Sequence, residues 1–167
     1  TYKDTDTLFL QNKKNNIKHV FTKSYNPLFA PNNKWFSFIK KDSLYLFNLA
    51  TAEKQLVGTT VKEYVYSYDG SYLIAKVQTN ENNSLKIVDL KTFKTKIISG
   101  LIEYEYSPDD TKIAIITKQE QINKVSLYDF NAFAFEKVIA TDSESEFKGL
   151  QWDDSGKKLA FFKEIKD

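Results

Sequence analysis

Three glutamates are spaced so that they could bind a cation or an amine. Glu103 and Glu105 lie two residues apart and would share one face of a β-strand, because strand side chains alternate. Glu63 lies forty residues before Glu103, at the equivalent position of a repeat described below. The alternative is that these carboxylates pair with lysines of adjacent sheets or contact water. We favour that alternative and keep Glu63, Glu103 and Glu105 as candidate ligand-binding residues.

Acidic turns invite a calcium hypothesis at Asp69, Asp109, Asp153 and Asp154. Their spacing lacks the alternating oxygen ligands of a calcium loop. Asp side chains in turns commonly accept hydrogen bonds from nearby backbone N–H groups, which explains them sufficiently. We therefore expect turn chemistry and no metal site.

Other reactive residues are sparse. His19 is the only histidine, so a two-histidine metal site or a Ser-His-Asp triad cannot be assembled. The chain has no cysteine, which excludes disulfides and thiolate sites. We expect His19 to be an ordinary outer-strand residue, no catalytic residue in this chain, and no cofactor.

Four aromatic residues, Trp35, Trp152, Phe161 and Phe162, could form a stacking surface. They recur at strand spacing, and Trp152 occupies the position of Tyr66 in another copy of the repeat. We therefore expect all four to lie in the core.

A short turn sequence is repeated through the chain and positions these residues. Its copies begin 37, 40 and 46 residues apart, and each is followed by an apolar run. A period near forty with a tight turn between two short strands is typical of a β-propeller blade. The four copies are FAPNN (29–33), YSYDG (66–70), YSPDD (106–110) and WDDSG (152–156).

Each unit is predicted to contain four antiparallel strands, which we call a to d from the inside outwards. Strand a precedes the turn, strand b is the most apolar, and strands c and d form an outer hairpin. Three irregular stretches are expected, at 79–84 and 117–123 between strands b and c, and an acidic solvated loop at 141–146. The complete blades are predicted at 24–57, 61–99 and 101–140, with half blades at 7–21 (strands c and d) and 147–163 (strands a and b).

The predicted fold is therefore all-β, a propeller with three complete blades and one divided between the termini. The two half blades could join and close a four-bladed ring. Alternatively, the chain is a slice of a larger propeller cut between strands b and c, which we favour because its ends are abrupt and it begins without Met. An open slice would expose blade faces and could associate through them.

The amino-acid composition limits the kinds of partner that we expect this protein to bind. The net charge is +2 with lysines and acids interspersed, so no basic stripe indicates nucleic-acid binding. No apolar stretch approaches the ~20 residues that cross a bilayer. All 24 basic residues are lysine, which argues against a bidentate phosphate or carboxylate site of the kind that arginine makes. We expect a protein or peptide partner.

The repeat resembles the PD40 or TolB-type propeller repeat, in which a Ser-Pro-Asp-Gly turn precedes a strand and a hairpin follows. YSPDD (106–110) and SLYLFNLATAEKQLV (43–57) carry this resemblance. The same repeats build the amino-terminal propeller of S9 peptidases, of the prolyl oligopeptidase and dipeptidyl-peptidase IV kind, which WFSFIKKDSLYLFNLATAEKQLV (35–57) resembles in particular. The resemblance favours a periplasmic or other extracytoplasmic location.

In S9 peptidases the propeller filters or docks substrates, and the catalytic residues lie in a separate α/β-hydrolase domain. This sequence has no G-x-S-x-G turn that would indicate such a domain. The expected function is thus a non-catalytic module for protein interaction or substrate gating, within a larger S9-peptidase-like or TolB-like protein. The alternatives are a stand-alone scaffold of a multiprotein assembly, or a hydrolase using acids at the channel mouth.

Overall fold

The protein is an open β-propeller built from antiparallel sheets. A computed structural model describes residues 6–78, 82–132 and 135–165. The strands are β1 Thr7–Gln11, β2 Lys18–Thr22, β3 Ser24–Phe29, β4 Trp35–Lys40, β5 Ser43–Asn48, β6 Lys54–Gly58, β7 Val61–Tyr66, β8 Tyr72–Gln78, β9 Asn83–Asp89, β10 Thr95–Ser99, β11 Leu101–Tyr106, β12 Lys112–Gln119, β13 Ile122–Asp129, β14 Phe135–Asp142, β15 Ser145–Trp152 and β16 Leu159–Ile165, with a 3-10 turn at Phe130–Ala132.

Three four-stranded sheets form blade 1 (β3–β6), blade 2 (β7–β10) and blade 3 (β11–β14), and each pairs its strands in chain order. The first hairpin (β1–β2) and the last hairpin (β15–β16) are separate two-stranded sheets. This confirms the predicted fold class of three complete blades and one divided between the chain ends. Because the two hairpins do not pair with each other in the described residues, no closed ring forms.

Two of the predicted loops are wrong. Strands β12 and β13 extend to Gln119 and from Ile122, so only two residues separate them instead of the stretch expected at 117–123. Strands β14 and β15 similarly leave two residues where an acidic loop was expected at 141–146. The stretch expected at 79–84 lies partly outside the described residues, and β9 already begins at Asn83.

The repeated turn has the same backbone in all four copies. Its fifth residue adopts a left-handed φ, which Gly, Asn and Asp tolerate better than other residues. This requirement explains why the repeat alternates among those three residue types. The left-handed positions are Asn33 (φ 56°), Gly70 (φ 70°), Asp110 (φ 52°) and Gly156 (φ 65°).

Gly70 serves a second purpose, because the turn of blade 1 lies directly against it. Asn32 Nδ2 donates a hydrogen bond to the Gly70 carbonyl oxygen at 2.6 Å. A Cβ atom at Gly70 would lie 2.9 Å from the Asn32 side chain and backbone, which is too close. The glycine therefore allows neighbouring blades to meet at their turns.

The core consists of layers between successive sheets. Blade 2 uses alternate residues of each strand for its two neighbours: Leu73 and Ala75 pack against blade 1, whereas Ile74 and Ile87 pack against blade 3. Strands buried on both faces have to be apolar on both, so they read as near-continuous apolar runs. Phe36, Phe38 and Phe47 of blade 1 pack on the first hairpin in the same way.

Aromatic packing agrees with three of the four predictions. Trp35, Trp152 and Phe161 are partly buried and pack against the apolar layers. Phe162 was expected in the core, but 69% of its side chain is exposed. It lies on the outer face of the last hairpin, where no further blade is present among the described residues to cover it.

We predict that an Ile87→Ala variant loses about 2–5 kcal/mol of unfolding free energy, because Ile87 is 0% exposed between two blades. Urea denaturation followed by circular dichroism measures the loss. Ile97→Ala in the adjacent strand is the matched control, since Ile97 is 61% exposed and its substitution should cost within about 0.5 kcal/mol. Equal losses in the two variants would contradict burial between the blades.

Candidate functional site on the inner strands

Strand a is the inner strand of blades 1 to 3 and of the last hairpin, and these inner strands contact one another from sheet to sheet. Equivalent positions follow from the shared turn, because the N–H of its second residue donates the same hydrogen bond in all four copies. These bonds run from Ala30 N to Trp35 O, from Ser67 N to Tyr72 O, from Ser107 N to Lys112 O and from Asp153 N to Lys158 O. Counting back from these turns aligns the four inner strands. Two rows of residues across them define the site.

The interlocked row comprises Asn26, Glu63, Glu103 and Gly149, one from each inner strand. At each of the three junctions from blade 1 to the last hairpin, a hydrogen bond reaches a residue of this row. The Tyr64 hydroxyl donates to the Asn26 carbonyl oxygen, and the Tyr104 hydroxyl donates to Glu63 Oε1 at 3.1 Å. The row therefore links the inner strands of blades 1 to 3 and the last hairpin in sequence.

Glu103 makes the most complete of these contacts. Its carboxylate oxygens accept hydrogen bonds from the backbone N–H groups of Gly149 and Leu150, both at 2.8 Å. Gly149 has a φ of 69° within an irregularity of the β15–β16 pairing, and this conformation turns both N–H groups towards blade 3. Bonds from backbone N–H groups to a carboxylate are charge-assisted and stronger than neutral ones. Glu103 is thus a structural clamp.

Glu63 is exposed and accepts from Tyr104, with Lys76 Nζ of its own blade 3.6 Å away. The expected pairing with a lysine of an adjacent blade is therefore found with a lysine of the same blade. Burial, followed by the nearby Glu63 charge, raises the pKa of Tyr104 to about 12. The Tyr104 hydroxyl is protonated at neutral pH and donates to Glu63.

The exposed row comprises Leu28, Val65, Glu105 and Gln151, two residues further along each inner strand. All four are exposed. The backbone carbonyl of Glu105 accepts a hydrogen bond from Trp152 Nε1 at 3.2 Å, so the strand is fixed while its side chain faces solvent. Of the three candidate glutamates, Glu105 is the one whose carboxylate makes no hydrogen bond or ion pair within the described ranges.

Glu103 and Glu105 nevertheless do not form a paired acidic site. One carboxylate is held by backbone N–H groups and the other is exposed. No three His, Asp or Glu side chains come together in the portion of the chain that the structure describes. His19 lies on β2, and its ring contacts Phe47 with centroids 4.7 Å apart.

The acidic turns use their carboxylates to hold the backbone. Asp109 Oδ1 accepts from Ser107 Oγ at 2.6 Å and from Thr111 N at 3.2 Å. The bond from the Ser107 hydroxyl, followed by that from Thr111 N–H, lowers the pKa of Asp109. In the last turn, the Ser155 hydroxyl and the N–H groups of residues 157 and 158 likewise lower the pKa of Asp153. These contacts support turn chemistry over calcium binding.

Asp142 is a residue that the sequence analysis missed. Its carboxylate accepts bonds from Glu144 N and Ser145 N, both at 2.8 Å, and lies 2.6 Å from Lys163 Nζ. It therefore connects the end of blade 3 to both strands of the last hairpin. The sequence signal was an Asp followed two and three residues later by the backbone groups it caps, which is typical of an Asx turn.

Among the residues placed by the structure, no helix is long and apolar enough to cross a membrane.

No protein-family model and no curated protein matches the chain. Solved structures do match it. The β-propeller domain of the Trilobed protease from Pyrococcus furiosus, described as having an open velcro topology, gives a TM-score of 0.57 at 12% identity over 84% of this chain and 51% of that one.

Two further structures are similar. Uncomplexed Pyrococcus horikoshii acylaminoacyl peptidase gives a TM-score of 0.51 at 10% identity, over 84% of this chain and 30% of that one. TolB from Acinetobacter baumannii gives 0.47 at 20% identity, over 93% and 42%. This chain thus spans about half of the Trilobed protease domain. The superpositions above 0.5 establish a β-propeller fold and confirm the expected resemblance to peptidase propellers at the level of the fold.

We predict that Glu103→Gln lowers the unfolding free energy by about 1–2 kcal/mol, because one of the two accepting oxygens becomes an NH2 donor and one N–H group loses its acceptor. Denaturant unfolding at neutral pH measures the change. Glu105→Gln is the matched control on the same strand and should stay within about 0.5 kcal/mol. If both variants are as stable as the wild type, Glu103 is not a clamp.

Acid should weaken the Asp142 contact. The Lys163 bond, followed by those from Glu144 N and Ser145 N, lowers the pKa of Asp142 to about 2. Because the pKa of Asp142 is lower in the folded than in the unfolded protein, its carboxylate stabilises the fold at pH values above its ordinary pKa. This stabilisation is lost as the pH falls towards 2. We predict that Asp142→Asn is less stable than wild type at pH 7 and that the difference shrinks between pH 5 and pH 2.

Urea unfolding across that pH range measures the difference. Asp154→Asn, at an exposed position in the turn of the last hairpin, is the control for the simple loss of one negative charge. A difference between wild type and Asp142→Asn that stays constant with pH would show that the Asp142 carboxylate contributes nothing as an anion.

Proposed function

We propose that this chain is a non-catalytic propeller module that binds a protein or peptide segment along the exposed row of its inner strands. The observation that supports this most directly is the contrast between the two rows. The interlocked row fixes the inner strands relative to one another, whereas the exposed row, two residues away, presents side chains to solvent. A rigid surface binds with less loss of conformational entropy than a mobile one.

The chemistry of the exposed row suggests the class of ligand. Leu28 and Val65 are apolar, and Glu105 and Gln151 follow on the next two strands. Such a sequence of side chains suits a peptide with an apolar residue followed by a cationic group, which is either a basic side chain or an amino terminus. Glu105 would bind the cation, while Glu63 and Glu103 hold the strands that present it. This narrows the candidate ligand-binding residues from three to one.

A gating role within a larger peptidase-like or TolB-like protein is consistent with this surface, as is a role as a scaffold. The coding sequence beyond residue 167 distinguishes the two. A following α/β-hydrolase domain with a G-x-S-x-G turn would support gating, and its absence from the complete gene would support the scaffold.

We predict that Glu105→Gln weakens binding of apolar-cationic peptides about 3- to 10-fold, because one charge-assisted contact is lost. Fluorescence polarisation with labelled peptides of varied sequence measures this effect. Acetylated or glutamate-substituted versions of the same peptides should bind as weakly to the wild type. Glu144→Gln, at an exposed position between blade 3 and the last hairpin, is the control and should bind as the wild type does.

Two results would overturn the proposal. The first is peptide binding that is indifferent to Glu105→Gln and to peptide charge. The second is hydrolysis of ester or peptide substrates by the wild-type chain that is lost in Glu105→Gln, since this would favour an enzyme that uses the channel mouth.

A further inference from the structure

The repeated turns of neighbouring sheets lie against each other, and glycine allows this at two junctions. A Cβ atom at Gly70 in the turn of blade 2 would lie 2.9 Å from Asn32 in the turn of blade 1. A Cβ atom at Gly156 in the last hairpin would lie 3.4 Å from Pro108 and 3.6 Å from Asp109 of blade 3. In both cases the fifth residue of one turn faces the third or fourth residue of the preceding turn.

The junction between blades 2 and 3 departs from this pattern. The fifth residue of the blade 3 turn is Asp110 instead of glycine. Its equivalence with Gly70 and Gly156 directs its side chain at the preceding turn, whose third and fourth residues are Tyr68 and Asp69. A cavity of about 240 Å³ separates the two turns and is lined by residues of both. Because blades 2 and 3 are both complete, the two turns that form this cavity belong to whole sheets.

An exposed aromatic side chain stands at the edge of this cavity. Tyr68 is 79% exposed, so packing within the fold does not account for it. Two of the other three copies of the turn have proline at this position, namely Pro31 and Pro108. Tyrosine is enriched where proteins bind other proteins, because its ring offers a large contact area.

The wall of the cavity is aromatic and fixed in position. The rings of Tyr72 and Phe130 are stacked with centroids 5.1 Å apart, and the Tyr72 hydroxyl donates to the Phe130 carbonyl oxygen. Phe130 is itself 3% exposed and packs in the layer between blades 2 and 3. A side chain that enters the cavity therefore meets a preformed surface.

Asp110 supplies a negative charge that the fold leaves unbalanced. Asp69 and Asp109 accept hydrogen bonds from the serine hydroxyls of their own turns, at 2.8 and 2.6 Å. The Asp110 carboxylate accepts no hydrogen bond and pairs with no lysine in the ranges that the structure describes. Burial, followed by the charge of Asp109, raises the pKa of Asp110. A cation in the cavity would stabilise the ionised carboxylate.

We propose that this cavity binds an arginine side chain of a partner protein. The guanidinium group would stack on the Tyr68 ring and donate paired hydrogen bonds to the Asp110 carboxylate. Arginine suits both contacts, because its planar cation stacks on aromatic faces and matches a carboxylate with two parallel N–H groups. A lysine ammonium group is a compact and more strongly hydrated charge, which fits this combination less well.

The composition of the chain identifies the source of the arginine. All 24 basic residues are lysine, so a second copy of residues 1–167 cannot supply the guanidinium group. The occupant is therefore a different polypeptide. The cavity does not include the exposed row, because neither Glu105 nor any other member of that row lines it. The inference thus goes beyond the peptide site proposed above, and either site can exist without the other.

Nuclear magnetic resonance of the 15N-labelled chain tests the proposal. The probe is the peptide Gly-Gly-Arg-Gly-Gly with both ends blocked, so that arginine carries its only charge. We expect saturable amide shifts that centre on Tyr68, Asp69, Asp110 and Thr111. The lysine version should bind about 3-fold more weakly. The citrulline version, which has the shape of arginine without its charge, should produce no saturable shifts.

Variants assign the contacts. Asp110→Asn should weaken binding of the arginine peptide about 5- to 10-fold, because the charge-assisted bonds are lost. Asparagine also tolerates the left-handed φ of this position, so the turn should be retained. Tyr68→Ala should weaken binding about 3-fold, and Tyr68→Phe should restore it because the ring remains. Asp154→Asn, in the exposed turn of the last hairpin, is the control for the loss of one negative charge.

Glu105→Gln separates this cavity from the exposed row, and it should bind the arginine peptide as the wild type does. Shifts that centre on Glu105 and disappear in Glu105→Gln would place the cation on the exposed row and overturn this proposal alone. Equal affinity for the arginine and citrulline peptides would overturn it, as would affinity that is unchanged in Asp110→Asn. Binding of the lysine peptide as tight as that of the arginine peptide would overturn the assignment to arginine. The dispersion of the amide spectrum checks that every variant is folded.

Discussion

The structure depends on the burial of both faces of each blade against its neighbours. A four-stranded sheet with apolar residues on both faces cannot satisfy them alone, and the hydrophobic effect stabilises it only when a second sheet covers each face. Blade 2 has this cover on both sides, through Leu73 and Ala75 on one face and Ile74 and Ile87 on the other. The hydrogen bonds between the inner strands then position one sheet on the next.

The inner strands contribute hydrogen bonds between neighbouring sheets more than they contribute buried apolar surface. Successive hydrogen bonds, from Tyr64 to Asn26, from Tyr104 to Glu63 and from the backbone at Gly149 to Glu103, fix the relative height of neighbouring sheets. These bonds are polar and directional, so they favour one position of each sheet relative to the next. The candidate binding surface on the exposed row inherits its rigidity from them. Glu103 and Glu105, two residues apart on one strand, thus differ in role: Glu103 joins neighbouring strands, and Glu105 faces solvent.

The sequence predicted what is encoded locally and missed what depends on distant residues. The turns were predicted because a left-handed φ at positions such as Asn33 and Gly70 restricts the residue type within a few positions. The clamp between Glu103 and Gly149 joins residues forty-six apart, and no local pattern indicates it. The loop expected near Asp142 was wrong because hydrophilic residues were taken as solvated, whereas the Asp142 carboxylate caps two N–H groups and tightens the turn.

Phe162 also shows a limit of prediction from sequence, because its exposure depends on residues that are distant along the chain. At its position in the repeat, Ile39 and Ile116 are buried, whereas blade 2 has the partly exposed Lys76, so the repeat alone does not decide between burial and exposure. Whether it is buried depends on a sheet that the described residues do not supply. The same holds for Phe29 at the opposite end, so the exposed rings follow from the interrupted repeat and not from a change in its pattern.

The most direct test of this account is hydrogen–deuterium exchange measured strand by strand in blade 2, which is covered on both faces. If the fold depends on this cover, amides of the central strands β8 and β9 should exchange slowly, because opening them requires blade 2 to separate from both neighbours. Exchange throughout β8 and β9 as rapid as that of the outer strand β10 would contradict the account.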